Sequence, residues 1–274
     1  MIVVTGATGG VGAEVVRQLA DAGRAVRALS RRPETLDVPP GVETGRADLA
    51  DADSLAKAFV GATAVFLYAT FGDPRIPVDA ARDAGAERIV LLSSLAVEGH
   101  GDNPIGDHHR RVEETIEESG LGWTHLRPGG FASNALWWAP EVRTGVVRGA
   151  YPEASTAPID PADIAAVAVR ALTDDGHAGR AYPMSGPEWL SQADQVRVIA
   201  EVLGRPVRYE RVSVDEAFEA MSRSVDPRYV RGMLDIQARM VGLPPVVLDT
   251  VERVTGRPAR TFADWVAAHA ADFA

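Results

Sequence analysis

The sequence contains no cysteine among its 274 residues. It therefore can form no disulfide, no thiolate metal site and no thiol nucleophile. Acidic residues outnumber basic ones by 38 to 28, and the net charge of −10 argues against a protein that binds the phosphate backbone of nucleic acid. No apolar run reaches the length of about 18 residues that a transmembrane helix needs. We therefore expect a cytoplasmic protein that binds neither nucleic acid nor a membrane.

A cluster of glycines follows a short apolar run at the start of the chain. Val3 and Val4 suggest a strand, and Val15, Val16 and Leu19 follow the spacing of one helical face. A glycine turn between a strand and a helix suits a dinucleotide pyrophosphate, because N–H groups at the helix N-terminus face the diphosphate and the missing Cβ atoms allow close approach. The predicted cofactor-binding residues of this turn are Gly6, Thr8, Gly9, Gly10, Val11 and Gly12.

The second strand candidate leads into two arginines. Residues 25–29 have a strand pattern, and Ser30, Arg31 and Arg32 follow them. In an NAD-selective site, an acidic residue about 20 residues beyond the glycines bonds the adenosine ribose, whereas arginine there accommodates a 2′-phosphate. Because guanidinium groups pair bidentately with phosphate, the sequence favours NADPH as the cofactor, with NAD as the alternative. A solvated arginine pair in a loop stays open as the simpler interpretation.

Strand and helix patterns alternate along the first half of the chain. Further strand candidates cover residues 41–45, 64–70, 87–94 and 122–127. This alternation predicts an α/β fold with a doubly wound (Rossmann) parallel sheet. We predict an NAD(P)-binding domain over residues 1–150 and a small C-terminal α+β substrate lobe over residues 151–274. The two form one compact unit in this prediction, which allows some later segments to return to the sheet.

Hydroxyl side chains stand at the ends of two central strand candidates. Thr70 ends one of them, and Ser93 and Ser94 end the next. Ligands of doubly wound sheets bind beyond the carboxyl ends of the strands, so we expect these hydroxyls at the reacting centre. Serine is also common at strand ends because it bonds to turns, and that structural role stays open.

A strongly charged helix is predicted from residue 105 to residue 119. Ile105, His109, Val112 and Ile116 fall on one stripe, which predicts that His109 points inward and His108 does not. An inward imidazole suits either a functional role or that of a core histidine. The spacing of the histidines matches no standard ligand set, so we predict no metal site.

The second half of the chain carries shorter strand-like runs between helices with clear start signals. The runs cover residues 145–150, 180–184 and 206–210. Helix starts are indicated by Asp160 before Pro161, by Ser213 with Glu216 and by Thr261 with Asp264. We assign this half to the substrate lobe.

In combination, these segments resemble the NmrA-like group of atypical short-chain dehydrogenase/reductases. That group contains NADPH-dependent quinone and dye reductases as well as catalytically silent cofactor sensors. The resemblance covers nearly the whole chain and rests on residues 5–12, 26–33, 48–49 with 54–55, 92–94, 112–113 with 119–121, 123–129 with Phe131 and Asn134, 163–165, and 254–258 through Phe262.

The resemblance implies a role for each matching position. The glycine turn would hold the pyrophosphate, Arg31 would meet the 2′-phosphate, and Asp48 and Leu49 would flank the adenine. Tyr68, Ala69 and Thr70 would line the nicotinamide side. Pro128, Gly129 and Phe131 would close over the nicotinamide ring.

One departure from the wider family limits the chemistry. Typical short-chain dehydrogenases use a tyrosine followed four residues later by a lysine, which together move the carbonyl proton. Counting back from Ser119 and Gly120 places the tyrosine position at Ile105 and the lysine position at His109. Isoleucine cannot move a proton, which removes a contribution of roughly 10²–10⁴ in rate. A strongly electrophilic acceptor such as a quinone needs hydride more than it needs a proton.

The substrate is expected to be an apolar aromatic or quinone-like small molecule. Its predicted contacts are Ser93, Ser94, Phe131, Asn134, Trp137 and Trp138, although aromatic residues of this kind are more often simply core. We predict an NADPH-dependent reductase in which Ser93, Thr70 and His109 surround the reacting centre. The alternative is a non-catalytic NAD(P)-sensing regulatory protein that binds a protein partner. The sequence does not predict an oligomeric state.

Overall fold

The computed structural model describes residues 1–69, 72–99, 104–223, 225–243 and 247–274, with only the backbone at residue 228. Within these ranges the chain forms two compact units. The first comprises residues 1–129, 161–184 and 249–258, and the second comprises residues 130–160, 185–248 and 259–274.

Strands and helices alternate along the described ranges. The strands are β1 (Ile2–Val4), β2 (Val26–Ser30), β3 (Glu43–Arg46), β4 (Ala64–Tyr68), β5 (Arg88–Leu92), β6 (Gly122–Pro128), β7 (Val146–Gly149), β8 (Ser155–Thr156), β9 (Arg180–Met184), β10 (Leu190–Ser191) and β11 (Arg208–Arg211). The α-helices are α1 (Gly10–Asp21), α2 (Ala52–Ala58), α3 (Arg75–Asp83), α4 (Pro104–Glu117), α5 (Ala139–Thr144), α6 (Pro161–Thr173), α7 (Gln192–Leu203), α8 (Val214–Met221), α9 (Pro227–Arg239), α10 (Thr250–Thr255) and α11 (Phe262–Ala268). Short 3₁₀ helices cover Pro33–Thr35, Leu95–Glu98, Ala132–Trp138 and Ala270–Phe273.

A seven-stranded parallel sheet forms the centre of the first unit. Its strand order is β3-β2-β1-β4-β5-β6-β9. The residues of β1 are all buried, as are the first four residues of β4, because helices cover both faces of such a sheet. The predicted α/β fold with a doubly wound parallel sheet is confirmed. The order reverses between β1 and β4, which is where ligands of these sheets bind.

Helix α1 follows the glycine turn, as the apolar spacing predicts. Val11, Val15, Val16 and Leu19 are buried on one face of the helix. This face packs the helix onto the sheet and brings its N-terminus to the carboxyl end of β1.

Helix α4 differs from its prediction on two points. Ile105 is 42 % exposed, so it does not belong to the buried stripe. Glu113 is buried instead, beside Val112 and Ile116. Apolar periodicity cannot identify a buried acid, because such a residue depends on polar partners supplied by other elements.

The second unit contains two small strand pairs and its own core. Strands β7 and β11 pair in parallel, and β8 and β10 pair antiparallel. In the core, the ring of Trp265 stacks 5.9 Å from that of Phe262 and meets Phe273 edge-on. The capping boxes predicted at Ser213 and Thr261 are present.

The first unit contains residues 1–129 and 161–184, whereas the predicted NAD(P)-binding domain covers residues 1–150. Residues 180–184 form β9, which pairs with β6 as the last strand of the large sheet. The prediction allows for such a later segment that returns to the sheet. Strand pairing between distant segments is a tertiary property that local patterns do not contain.

No helix within the described ranges combines the length and the apolar character needed to cross a bilayer.

Candidate functional site

The glycine turn joins β1 directly to the N-terminus of α1. Gly6 has a φ of +65°, which is a left-handed conformation. A Cβ on Gly12 would lie 2.2 Å from the carbonyl oxygen of Gly6, so the helix packs against the turn without room for a side chain. Gly9 precedes the helix, no side chain caps its first turn, and that turn contains no acidic residue. The first-turn N–H groups of an uncapped helix offer donors and a positive dipole end to an anion.

This turn fits the pyrophosphate of a nicotinamide dinucleotide. Thr8, Gly9 and Gly10 are exposed, so a ligand has access to their backbone. Val11 and Gly12 are buried, and they hold the helix in place. The missing side chains and the free helix end are the two features that close approach of a diphosphate requires.

Tyr68 lies at the end of β4 beside the glycine turn. Its amide donates a hydrogen bond to Oγ1 of Thr5 over 2.9 Å, and that hydroxyl donates to the carbonyl of Phe66 over 3.0 Å. The Cβ of Tyr68 lies 3.2 Å from where a Cβ of Gly6 would stand, and Tyr68 is 50 % exposed. The structure thus brings this predicted cofactor residue to the glycine turn.

Ala69 and Ser94, two other predicted residues that the structure describes, have different settings. Ala69 is buried next to Tyr68. Thr70 lies outside the described residues. Ser94 precedes the 3₁₀ helix Leu95–Glu98, and its Oγ accepts a hydrogen bond from the amide of Ala96 over 3.2 Å, so it acts as a cap.

Arg31 and Arg32 follow β2 and are both exposed. Arg46, which the sequence analysis did not single out, ends the neighbouring strand β3 in register with Ser30. Within the described ranges no acidic side chain forms an ion pair with any of these three arginines. The register of β2 and β3 therefore places three arginines without acidic partners in the described ranges at one corner of the sheet. Arg46 could be recognised as the third only from the pairing of these two strands.

Asp48 and Leu49 follow β3 at the same edge of the sheet. Asp48 is exposed. Its amide donates a hydrogen bond to Oγ of Ser54, and its carboxylate accepts one from the amide of Ala50. Leu49 is partly buried against the core of the first unit. The pair forms a short structured turn before α2.

Ser93 is bonded to a buried acid, which is the largest departure from the expected site. Ser93 follows β5 and is 4 % exposed, and its hydroxyl donates to Oε1 of Glu113 over 2.5 Å. Arg127, near the end of β6, donates to Oε1 and Oε2 of the same carboxylate over 3.0 and 2.7 Å. Arg127 also donates to Glu98 over 3.1 Å. Partners at the ends of two strands thus meet Glu113 on α4, and Glu113 is 2 % exposed.

Opposing effects determine the protonation of Glu113. Burial, the strongest influence, raises the pKa of Glu113. Hydrogen bonds from Arg127 and Ser93, together with the charges of His125 and Arg127, outweigh burial and hold this pKa below the ordinary value. The carboxylate is therefore ionised at neutral pH and can only accept hydrogen bonds.

His109 is half-buried on α4, and His108 is half-buried as well, which corrects the prediction that only His109 turns inward. Nδ1 of His109 is buried and has no hydrogen-bond partner within the described part of the chain. Burial lowers the pKa of His109, and the neighbouring His108 lowers it further, while the charge of Glu113 acts in the opposite direction. The imidazole is therefore neutral at pH 7.

Glu113, Glu117 and His125 bring potential metal-ligand atoms within 4.8 Å of one another. Both oxygens of Glu113 already accept from Arg127, whose positive charge opposes a second cation there. Nε2 of His125 lies 3.1 Å from Oε1 of Glu117. Within the described residues, the group is held by the Glu113–Arg127 ion pair and by the contact between His125 and Glu117.

The last predicted residues are divided between the two units. Pro128 ends β6 in the first unit, and the amide of Gly129 donates to the carbonyl of Met184 over 2.9 Å. Phe131, Asn134, Trp137 and Trp138 belong to the second unit. There, Trp138 packs against the core around Trp265, whereas Asn134 is exposed and Trp137 is 65 % exposed.

Comparisons with known proteins agree with this geometry. A family model described as NAD(P)H-binding matches residues 6–175. The chain is 46 % identical to a (4-alkanoyl-5-oxo-2,5-dihydrofuran-3-yl)methyl phosphate reductase of Streptomyces griseus subsp. griseus, with 100 % of this chain and 99 % of the relative covered. It is 36 % identical to an NAD(P)H azoreductase of Xenophilus azovorans, with the same coverage. Among solved structures, an NADPH-dependent quinone oxidoreductase of Escherichia coli complexed with NADPH superposes with a TM-score of 0.82 at 26 % identity, over 98 % of this chain and 99 % of that one.

Proposed function

Because the chain belongs to the NAD(P)H-binding family and is an NAD(P)H-dependent oxidoreductase, we propose that it transfers hydride from NADPH to an apolar aromatic or quinone-like small molecule. The single observation that carries the proposal is the uncapped N-terminus of α1 on a glycine turn, at the point where the strand order reverses. A dinucleotide bound there spans the carboxyl ends of the sheet, with its two halves on opposite sides of the turn.

The adenosine half is assigned to the side of β2 and β3. Arg31 and Arg32 are proposed to bind the 2′-phosphate, and Arg46 adds a third cation at this corner. In a chain of net charge −10, three arginines without acidic partners in the described ranges favour a phosphate ligand. Asp48 and Leu49 are proposed to flank the adenine.

The nicotinamide half is assigned to the side of β4, β5 and β6. Tyr68, Ala69, Thr70, His109, Pro128, Gly129 and Phe131 are proposed to line it. The bound cofactor supplies the hydride. Ser93, Thr70 and His109 are proposed to frame the reacting centre, and alignment of donor and acceptor provides most of the rate because proximity alone is worth several kcal/mol.

The acceptor must take up hydride without a strong general acid. Ile105 occupies the position that tyrosine has in the wider family, and the lowered pKa of His109, caused by burial, makes its imidazole a poor acid at neutral pH. Quinones and conjugated carbonyl compounds spread the incoming negative charge over several atoms, so water can complete the protonation. These acceptors are therefore favoured over isolated ketones.

Several relatives of this chain are named as reductases or oxidoreductases. Their names include a quinone oxidoreductase, an azoreductase and a reductase of an oxo-dihydrofuran phosphate. The 46 % identity to the last makes an unsaturated lactone the second candidate substrate class.

Substrate contacts in the second unit are proposed for Phe131, Asn134, Trp137 and Trp138. Trp137 is the most informative of these because the residue is 65 % exposed and its indole is available to stack on an aromatic molecule. Trp137→Ala should raise the KM for an aromatic acceptor several-fold. Val60→Ala, which truncates another exposed apolar residue in the first unit, is the matched control and should leave KM unchanged.

NADPH oxidation followed at 340 nm tests the proposal. We expect turnover with a benzoquinone, an azo dye or an unsaturated lactone, and little with an isolated aromatic ketone. If calorimetry shows that NADPH binds but none of these acceptors oxidises it above background, the reductase proposal fails and the NAD(P)-sensing alternative replaces it.

A further inference from the structure

The hydroxyl proton of Ser93 is already used inside the protein. Oγ of Ser93 lies 2.5 Å from Oε1 of Glu113, and an ionised carboxylate can only accept a hydrogen bond. The proton on this bond therefore belongs to Ser93. The two lone pairs of Oγ are still available, so the hydroxyl can accept a further hydrogen bond but cannot donate one.

The acceptor state of Ser93 is held in place from two sides. Arg127 donates to both oxygens of Glu113, so the carboxylate cannot rotate away from Ser93 without breaking an ion pair. The backbone amide of Ser93 donates to the carbonyl of Leu126 over 2.8 Å, which fixes the serine to β6. A hydrogen bond to a charged group is stronger than one between neutral groups, so a ligand carbonyl is a poor competitor for the serine proton.

Ser93 also lies on the side of the sheet assigned to nicotinamide. It follows β5, two strands from the glycine turn on β1 and on the opposite side from β2 and β3. Of the groups on a nicotinamide ring, the carboxamide –NH₂ is the hydrogen-bond donor.

We propose that Ser93, oriented by Glu113 and Arg127, accepts a hydrogen bond from the nicotinamide carboxamide instead of donating one to a substrate carbonyl. Glu113 is then a positioning residue, because it acts on the cofactor only through Ser93. This inference rests on the proposed function, since it requires the cofactor to bind across β1, β4 and β5. Ser93 would then orient the cofactor, and its hydroxyl would not polarise the carbonyl group of a substrate.

A purely structural role of the same network predicts a different result. If the network only ties α4 to β5 and β6, variants change stability but do not distinguish cofactors that differ at the carboxamide. The test must therefore compare two ligands within each variant.

The experiment measures the Kd of NADP⁺ and of its 3-acetylpyridine analogue by calorimetry. The analogue replaces the carboxamide –NH₂ with a methyl group, so it keeps the carbonyl oxygen as an acceptor and loses the N–H donor. The wild-type protein should bind NADP⁺ more tightly, and Ser93→Ala should reduce this preference by about fivefold to tenfold, the size of one net hydrogen bond.

Glu113→Gln provides the sharper variant. Both oxygens of Glu113 accept from Arg127, so in either orientation the new amide nitrogen faces a donor of Arg127 and the ion pair is lost. The serine proton is then no longer held by a carboxylate and becomes available to a ligand, so the preference for NADP⁺ over the acetyl analogue should decrease or disappear.

A matched control accompanies these variants. Glu117→Gln makes the same change one helical turn along α4, where the partner is His125. It should retain the wild-type preference. Circular dichroism confirms folding, and Ser93→Ala leaves the Glu113–Arg127 ion pair intact if Glu113→Gln proves unstable.

Two outcomes overturn the proposal. If NADP⁺ binds to all proteins but its preference over the analogue is the same in wild type, Ser93→Ala and Glu113→Gln, Ser93 does not accept from the carboxamide, although the proposed reductase function stands. If wild type binds neither ligand, the cofactor site and this inference fail together.

Discussion

Replacing Gly12 with alanine tests how closely α1 packs against the glycine turn. The new Cβ would lie 2.2 Å from the carbonyl oxygen of Gly6, 2.8 Å from its carbonyl carbon and 3.2 Å from Cα of Ala7. All three are backbone atoms, so no side-chain rotation can relieve the contacts. Ordinary contacts begin at 3.4 Å, which means that the helix must move by about 1 Å.

Two opposing effects set the size of the loss. Alanine is favoured over glycine inside a helix by about 1 kcal/mol. Overpacking of a dense region costs about 1–3 kcal/mol, and a clash with backbone belongs at the upper end of this range. We therefore expect a net loss of about 1–2 kcal/mol, or a decrease in Tm of about 2–8 °C at about 2–4 °C per kcal/mol.

Thermal unfolding and NADPH titration together check this expectation. Gly10→Ala is the matched control, because its Cβ would meet only Pro161, at 3.8 Å. That variant should be as stable as wild type or more stable. Gly12→Ala should also bind NADPH at least about tenfold more weakly, because displaced first-turn amides lose charge-assisted hydrogen bonds. Wild-type stability together with wild-type NADPH affinity in Gly12→Ala would refute the reasoning.

Three further predictions concern charge. Arg46→Ala should weaken binding of NADPH about tenfold more than binding of NADH, because one charge-assisted contact to the phosphate is lost. Arg24→Ala, which changes an exposed arginine ahead of β2, should affect the binding of neither cofactor. Equal losses for both cofactors in Arg46→Ala would contradict a role of Arg46 at the 2′-phosphate. Arg127→Ala should lower the free energy of unfolding by about 3 kcal/mol because it leaves a buried carboxylate without its cation. Arg197→Ala, which removes two ion pairs on an exposed helix face, should have little effect in the same denaturation assay, and similar losses in the two variants would contradict the importance of burial. Burial lowers the pKa of His125 below 6.5 despite the opposing charges of its acidic neighbours. The unfolded chain therefore binds more protons between the folded and unfolded pKa values, so the free energy of unfolding should fall as pH decreases below about 6.5, by up to about 1.4 kcal/mol per pH unit. His125→Phe should flatten this slope in denaturation measured from pH 7 to pH 5, and an unchanged slope would assign the proton uptake elsewhere.

Local sequence patterns were sufficient to predict the first strand, the glycine turn and the first helix. The strand, the glycine turn and the amphipathic helix α1 depend on residues close in sequence, so Gly6, Gly12 and the buried face of α1 could be predicted from spacing alone. The capping boxes at Ser213 and Thr261 follow from the same local chemistry.

Pairing of distant segments decided the rest of the sheet and the arginine corner. Residues 180–184 carry an apolar strand pattern, but only pairing with β6 places them in the large sheet. Arg46 likewise becomes a candidate cofactor contact only through the register of β3 with β2. Neither relation can be derived from periodicity, because each depends on which strands lie side by side.

By itself, the sequence determined the doubly wound fold and the helix end that suits a dinucleotide, since both arise from glycine geometry and apolar spacing within short segments. Only the tertiary structure decided what Ser93 can do. A serine at a strand end is equally able to donate or accept, and its direction was set by Glu113 and Arg127, which arrive from α4 and β6. The physical reason is that a buried carboxylate is stable only with partners from several elements, so its effect on a neighbouring hydroxyl exists only in the folded chain.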